Sequence, residues 1–175
     1  MISSKIRFMT ISAALSSDAP ALADLFVGHI SDHPEYISHG EIQMGVGLGE
    51  IVDGAFVTRP AQDACEKWMK YILGHIEGGS SAVWKLTEGE MIEGFCVAEI
   101  QEDGDAPFGV VCDLLVRESF RGRGAGQALL DKATSWLREK GVNGIYLESG
   151  LRNHAAHRFF EKRGFVHVSE IYKLG

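Results

Sequence analysis

Residues 110–126 read Val110-Val111-Cys112-Asp113-Leu114-Leu115-Val116-Arg117-Glu118-Ser119-Phe120-Arg121-Gly122-Arg123-Gly124-Ala125-Gly126. A β-branched and apolar run passes through a short connection into a basic, glycine-rich loop, and an amphipathic helical pattern follows at once. Glycines without a Cβ let backbone approach a ligand closely. The first turn of a helix presents amides that have no intrahelical partner, which makes it an anion site. Arg121 and Arg123 add positive charge. The stretch therefore reads as a strand, a pyrophosphate cradle and a helix.

Two common cradles do not fit the spelling. A Walker A loop needs Gly-Lys-Ser/Thr at its end, and no Lys-Ser/Thr follows these glycines. The dinucleotide fingerprint needs two residues between its second and third glycines, whereas only Ala125 separates Gly124 from Gly126. No repeating strand–helix pattern precedes the loop either.

The spelling Arg121-x-x-Gly124-x-Gly126 after Leu114-Leu115-Val116 resembles the acyl-CoA loop of the GNAT (Gcn5-related) N-acetyltransferases. A second segment agrees: Asn153-x-x-Ala156-x-x-Phe159-Phe160-x-x-x-Gly164-Phe165 is similar to the other signature helix of that family. Ile92-Glu93-Gly94-Phe95 resembles its glycine-containing third strand. The likeness covers roughly residues 81–172.

The resemblance implies an α/β fold, with a mixed, mostly antiparallel central sheet, a splayed parallel strand pair and about four flanking helices. It implies a single domain over 1–175, with residues 1–80 supplying the first strand and acceptor-side helices and 81–175 the acyl-CoA core. A pantetheine cleft is expected between the strand ending near Val116 and the strand near Leu147. The implied activity is an acyltransferase reaction, from acetyl-CoA as co-substrate to a primary amine, by direct attack in a ternary complex.

By that likeness, backbone groups of Arg121, Gly122, Arg123, Gly124, Ala125, Gly126 and Gln127 hold the pyrophosphate. Those of Leu114, Leu115 and Val116 meet pantetheine and the thioester oxygen, a form of oxyanion stabilisation. Asn153 and Phe160 complete the cofactor-binding set. Many family members carry a tyrosine where Phe160 stands, as the acid for the departing thiolate. A phenyl ring cannot serve, and Tyr146, Tyr172 or water are the substitutes; a thiol of pKa near 8.5 also leaves as thiolate.

Asp113 interrupts an otherwise apolar strand, and an unpaired buried charge is costly. It is the first candidate for general base or amine-binding carboxylate, with pairing to an arginine as the competing role. Glu148 is the second catalytic candidate and Glu99 a third strand acid. Cys112 has apolar neighbours and is assigned no nucleophilic part.

The chain has 175 residues, 45% hydrophobic and 23% charged, with a net charge of −7. That is one domain by length and a globular composition. The negative charge disfavours nucleic acid and favours a small cationic amine as acceptor. Cys65, Cys96 and Cys112 are odd in number and lack metal spacing, which fits a reducing, cytoplasmic setting. No run approaches the ~20 apolar residues of a membrane span. A signal peptide near residues 5–23 is disfavoured, because Thr10 and Ser12 break the apolar run and cleavage would remove a strand. His29, His33 and His39, or His154 and His157, are not read as a metal site. A homodimer is compatible with the family. The rivals to a small-molecule enzyme are a protein or peptide N-acetyltransferase and a non-catalytic acyl-CoA sensor.

Along the chain the patterns predict strands at 5–12, 81–87, 91–101, 108–117, 145–149 and 166–173. Helices are predicted from Asp18 to about His29, from Pro60 to Gly78, after Gly124 up to Gly141, and from Asn153 to Gly164.

Overall fold

The computed structural model describes residues 9–102 and 106–174. Strand β1 spans Met9–Ala13, helix α1 Ala19–Asp32 and the short α2 His39–Gln43. A hairpin of β2 (Gly47–Val52) and β3 (Ala55–Pro60) leads to α3 (Ala64–Glu77). Then come β4 (Ser81–Glu88), β5 (Met91–Gln101), β6 (Phe108–Val116), α4 (Ala125–Glu139), β7 (Ile145–Leu147) and α5 (His154–Glu161). Five strands form one sheet in the order β1-β4-β5-β6-β7. Every pairing in it is antiparallel except β6 with β7, which is parallel. This is the expected mixed sheet with one parallel pair, and the described residues hold five helices in all.

The chain divides into two compact units. One holds the described residues up to Leu25 together with Met69–Leu147, and the other holds Phe26–Trp68 with the described residues from Glu148 onward. In the first unit Phe95, Cys96, Val97 and Ala98 of β5 are fully buried, as are Leu129, Ala133 and Leu137 on the apolar stripe of α4. Such a stripe recurs every three to four residues and seats one helix face on a sheet. Glycine allows the close fit at Gly109, where a Cβ would stand 2.8 Å from the Leu137 methyls. Trp84 of β4 meets Trp136 of α4 edge-on at 5.8 Å.

In the second unit Phe26 stacks on Trp68 at 4.7 Å, and Ile30, Ile37 and Val46 are buried nearby in sequence. Ser38 and Glu41 form a capping box that starts α2. Gly150 packs so tightly on Tyr36 that a Cβ would collide with its carbonyl oxygen.

Three expectations differ from the structure. Residues 47–60 form a hairpin where no strands were expected, so that Pro60 ends β3 and α3 opens at Ala64 instead of Pro60. Strand β7 stops at Leu147, not Ser149. Residues 166–173 form no strand, and Val166, Val168, Ile171 and Tyr172 are 58–86% exposed. Their alternation supplies a sheet-like face, but a strand also requires a partner, and local pattern does not provide one. The part of the first strand read over residues 5–8 lies outside the described residues.

Candidate active site

Two features of β6 organise the first unit. Its parallel pairing with β7 covers only Gly109↔Ile145, Val110↔Tyr146 and Val111↔Leu147. From Cys112 to Val116, β6 pairs with β5 alone among the described strands. No described strand pairs with its other edge there, as a splayed parallel pair requires. The second feature is a bulge. Val97 faces Asp113 while its neighbour Ala98 faces Val111, so Cys112 is the extra residue. Neighbours on β5 point to opposite faces, and therefore Val111 and Asp113 do too, although they are two apart. Val111 shares the α4 face with Gly109. Asp113 is turned to the opposite face.

On that face α3 brings up Tyr71, whose hydroxyl donates to Asp113 Oδ2 at 2.6 Å. Asp113 is only 9% exposed. Burial, and then the Asp113 charge, push the Tyr71 hydroxyl well above its ordinary value, so it remains a donor. His75, one turn further along α3, has Nδ1 3.0 Å from the Tyr71 carbonyl and Nε2 3.8 Å from Glu99 Oε2. Burial first, then the charges of Asp113 and Glu99, push the Cys112 thiol up to about 12. Such a thiol is a poor nucleophile at neutral pH. The competing role for Asp113 was pairing with an arginine, and the partner found on this face is a tyrosine. Tyr71 was legible only as a member of an apolar helical stripe, and His75 gave no signal in sequence. Their i, i+4 spacing marks one helix face, yet only tertiary packing tells that the face meets a carboxylate.

Beyond β6 the loop runs into α4 as the sequence predicts. Gly122 has φ +77° and Gly124, which caps α4, has φ +81°. Left-handed backbone of this kind favours glycine. A Cβ at either position would meet no heavy atom within 4 Å, so open space lies in front of the loop. The Ala128 amide is bonded to the Gly124 carbonyl at 3.0 Å. The amides of Ala125, Gly126 and Gln127 precede any helical carbonyl one turn back, and they form the anion-attracting terminus. The arginines are engaged locally: Arg121 Nε donates to the Val116 carbonyl at 3.0 Å, and the Arg123 guanidinium lies 4.5 Å over the Phe120 ring. Leu114, Leu115 and Val116 line the strand end that leads to this loop.

In the second unit Asn153 caps α5, its Oδ1 accepting from the Ala156 amide at 3.2 Å. Phe160 packs edge-on against Phe159 and Phe165 at 5.2 and 5.7 Å. Glu148 Oε1 accepts from the Gly40 amide at 3.1 Å, and Oε2 is 3.9 Å from His39. Of the tyrosines considered as acids, Tyr146 packs edge-on to Phe108 and Tyr172 donates to Glu170.

A sheet with one parallel pair, leading into a left-handed glycine loop and a helix N-terminus, is an arrangement that suits a phosphate-bearing ligand. The model of the Acetyltransferase (GNAT) family matches residues 54–165. The chain belongs to the GNAT acetyltransferase family. A Bacillus subtilis (strain 168) protein described as "Uncharacterized N-acetyltransferase YhdJ" is 38% identical over 64 residues, 36% of this chain and 45% of that protein. The match thus spans less than half of that relative's length. Among solved structures, a predicted acetyltransferase with acetyl-CoA from Clostridium acetobutylicum is similar at a TM-score of 0.71 and 15% identity, covering 96% of each chain. An aminoglycoside N-acetyltransferase, AAC(6')-Iy in complex with CoA, is similar at 0.70 and 14% identity, covering 99% of this chain and 98% of that one. At such identity the likeness is one of fold. Among the described residues no helix is long and apolar enough to cross a membrane.

Proposed function

We propose that the protein is an acetyl-CoA-dependent N-acetyltransferase, cytoplasmic, which acylates a primary amine of a small molecule within a ternary complex. The observation that carries this reading is the edge of β6 from Cys112 to Val116 that no second described strand pairs, continuous with the loop at Gly122 and Gly124 and the N-terminus of α4. An extended pantetheine arm suits an open strand edge, and a pyrophosphate suits helix-terminal amides.

In this reading the amides of residues 121–127 hold the pyrophosphate, and backbone of Leu114–Val116 orients the thioester oxygen. The amine nitrogen attacks the carbonyl carbon, the C–S bond breaks, and the sulfur departs as thiolate. Holding both reactants together supplies much of the acceleration. Asp113 takes the proton of the amine and passes it to solvent, with Tyr71 fixing the carboxylate through Oδ2. The thiolate takes its proton from water, since Phe160 has none to give. Asn153 and Phe160 are assigned to the cofactor side, and Glu148 to the acceptor side as a second carboxylate. The bulge at Cys112 supports Asp113's part, because it turns a carboxylate away from the apolar α4 face. The negative net charge and the aminoglycoside acetyltransferase among the similar folds favour a small cationic acceptor.

The test is thiol release from acetyl-CoA across a panel of polyamines, amino acids, aminoglycosides and short peptides. Turnover with particular small amines supports the proposal. Turnover with peptides alone moves it to a protein modifier, and CoA binding without any turnover moves it to a sensor.

A further inference from the structure

A second constellation lies on the Asp113 face of the sheet, and amine acetylation leaves it without a task. His75 of α3, Glu99 of β5 and Cys112 of β6 each offer one donor atom, and these atoms lie within 4.8 Å of one another. All three residues are partly exposed, so the cluster is reachable from solvent.

The histidine is oriented for coordination. Its Nδ1 faces the Tyr71 carbonyl at 3.0 Å. A carbonyl only accepts, so Nδ1 carries the hydrogen, and in the neutral ring Nε2 keeps its lone pair on the Glu99 side. A backbone carbonyl on the far ring nitrogen is how metal-binding histidines are commonly held. Cys112 owes its position to the bulge, which places it at the turn of β6 beside Asp113. Its thiol is held protonated by burial and by the carboxylates of Asp113 and Glu99, an environment that a divalent cation would neutralise.

We propose that His75, Glu99 and Cys112 form a binding site for a zinc-type divalent cation, with three protein ligands and an open fourth position. Nitrogen, oxygen and sulfur donors together select zinc or cobalt over magnesium or calcium. Tetrahedral zinc with bonds of about 2.0–2.3 Å places its ligand atoms roughly 3.3–3.7 Å apart. The three donors reach that spacing by closing on the order of 1 Å, and the thiol proton leaves to solvent as the metal–sulfur bond forms. The proposal does not depend on the acetyltransferase reading. It also differs from the histidine groups singled out in the sequence, because its ligands come from three separate elements.

The experiment is titration of the metal-free protein with cobalt(II), followed by displacement with zinc(II), in a Cys65→Ser background that removes the exposed thiol. One equivalent should bind with a tetrahedral visible spectrum and a thiolate charge-transfer band. Cys112→Ser should abolish that band, and His75→Ala should weaken binding at least about tenfold. Glu99→Gln, at a partly exposed position, gives a third reading if His75→Ala does not fold. Absence of stoichiometric uptake by the folded protein overturns the site. So does uptake that Cys112→Ser and Glu99→Gln leave unchanged.

Discussion

The Tyr71 hydroxyl and Asp113 Oδ2 meet at 2.6 Å, a helix residue bonded to the only carboxylate in a strand otherwise free of charged residues from Phe108 to Val116. The pair fixes both the orientation of the acid and the protonation of the phenol. Turnover and stability therefore respond differently when its two members are changed.

Asp113→Asn should lower turnover by about 100-fold or more at neutral pH, the usual scale for a proton-transfer group. Affinity for CoA should be kept. Steady-state thiol release and CoA calorimetry check the two halves, and an unchanged kcat would remove Asp113 from the chemistry.

Tyr71→Phe should destabilise the fold by about 1.5–3 kcal/mol, the scale of a hydrogen bond to a charged group. Urea unfolding measures it. The double variant with Asp113→Asn should lose less than the sum of the two, since both remove the same bond.

Gly124→Val should abolish CoA binding while leaving the protein folded. At φ +81° a branched side chain strains the backbone, yet no protein atom obstructs its Cβ. What it fills is the space ahead of α4. Full CoA affinity in a folded variant would sink the cradle assignment.

Thiol labelling should separate the cysteines. Exposed Cys65 should react with iodoacetamide near neutral pH, and fully buried Cys96 only on unfolding. Cys112, held at about 12, should react appreciably only as the pH climbs toward that value. Mass spectrometry of labelled peptides across a pH series reads this directly.

Acid should loosen the first unit through Asp18. Burial would raise its carboxyl, but the Lys85 hydrogen bond, the Leu15 amide and the Lys85 charge outweigh that and hold it below 3.8. Lys85 Nζ stands 2.7 Å from both carboxylate oxygens. A carboxyl lowered in the folded state contributes stability that is present above its unfolded value and lost as the pH falls through the folded one. Stability should therefore decline below about pH 4, and Lys85→Met should flatten that part of the profile.

What the sequence revealed tracks what local physics dictates. The loop at Gly122–Gly126 and α4 were legible because left-handed backbone calls for glycine and a core helix calls for an apolar stripe. Asn153 was legible because a cap needs a side-chain acceptor. The β2–β3 hairpin was also written in the chain: Asp53 and Gly54 have φ +50° and +78°, and Asp-Gly is a tight hairpin signal. The surrounding glycines hid it by diluting the strand pattern. Residues 166–173 show the converse error, where alternation without a partner was read as a strand. Tyr71, His75 and the bulge were not legible, because each depends on register between elements remote in the sequence.

The bulge makes the chemistry of β6 a matter of parity. Were the same residues to run on from Val111↔Ala98 as a regular ladder, Cys112 would stand opposite Val97 and Asp113 opposite Cys96, which turns the carboxylate into the layer that holds Leu129 and Leu137. An amino-acid change at this strand alters one side chain; loss of the bulge at the same length exchanges inside for outside over the whole segment that precedes the loop. Two chains with matching glycine loops can therefore present opposite faces of the same letters, and the pairing register at Val97 and Ala98 distinguishes them.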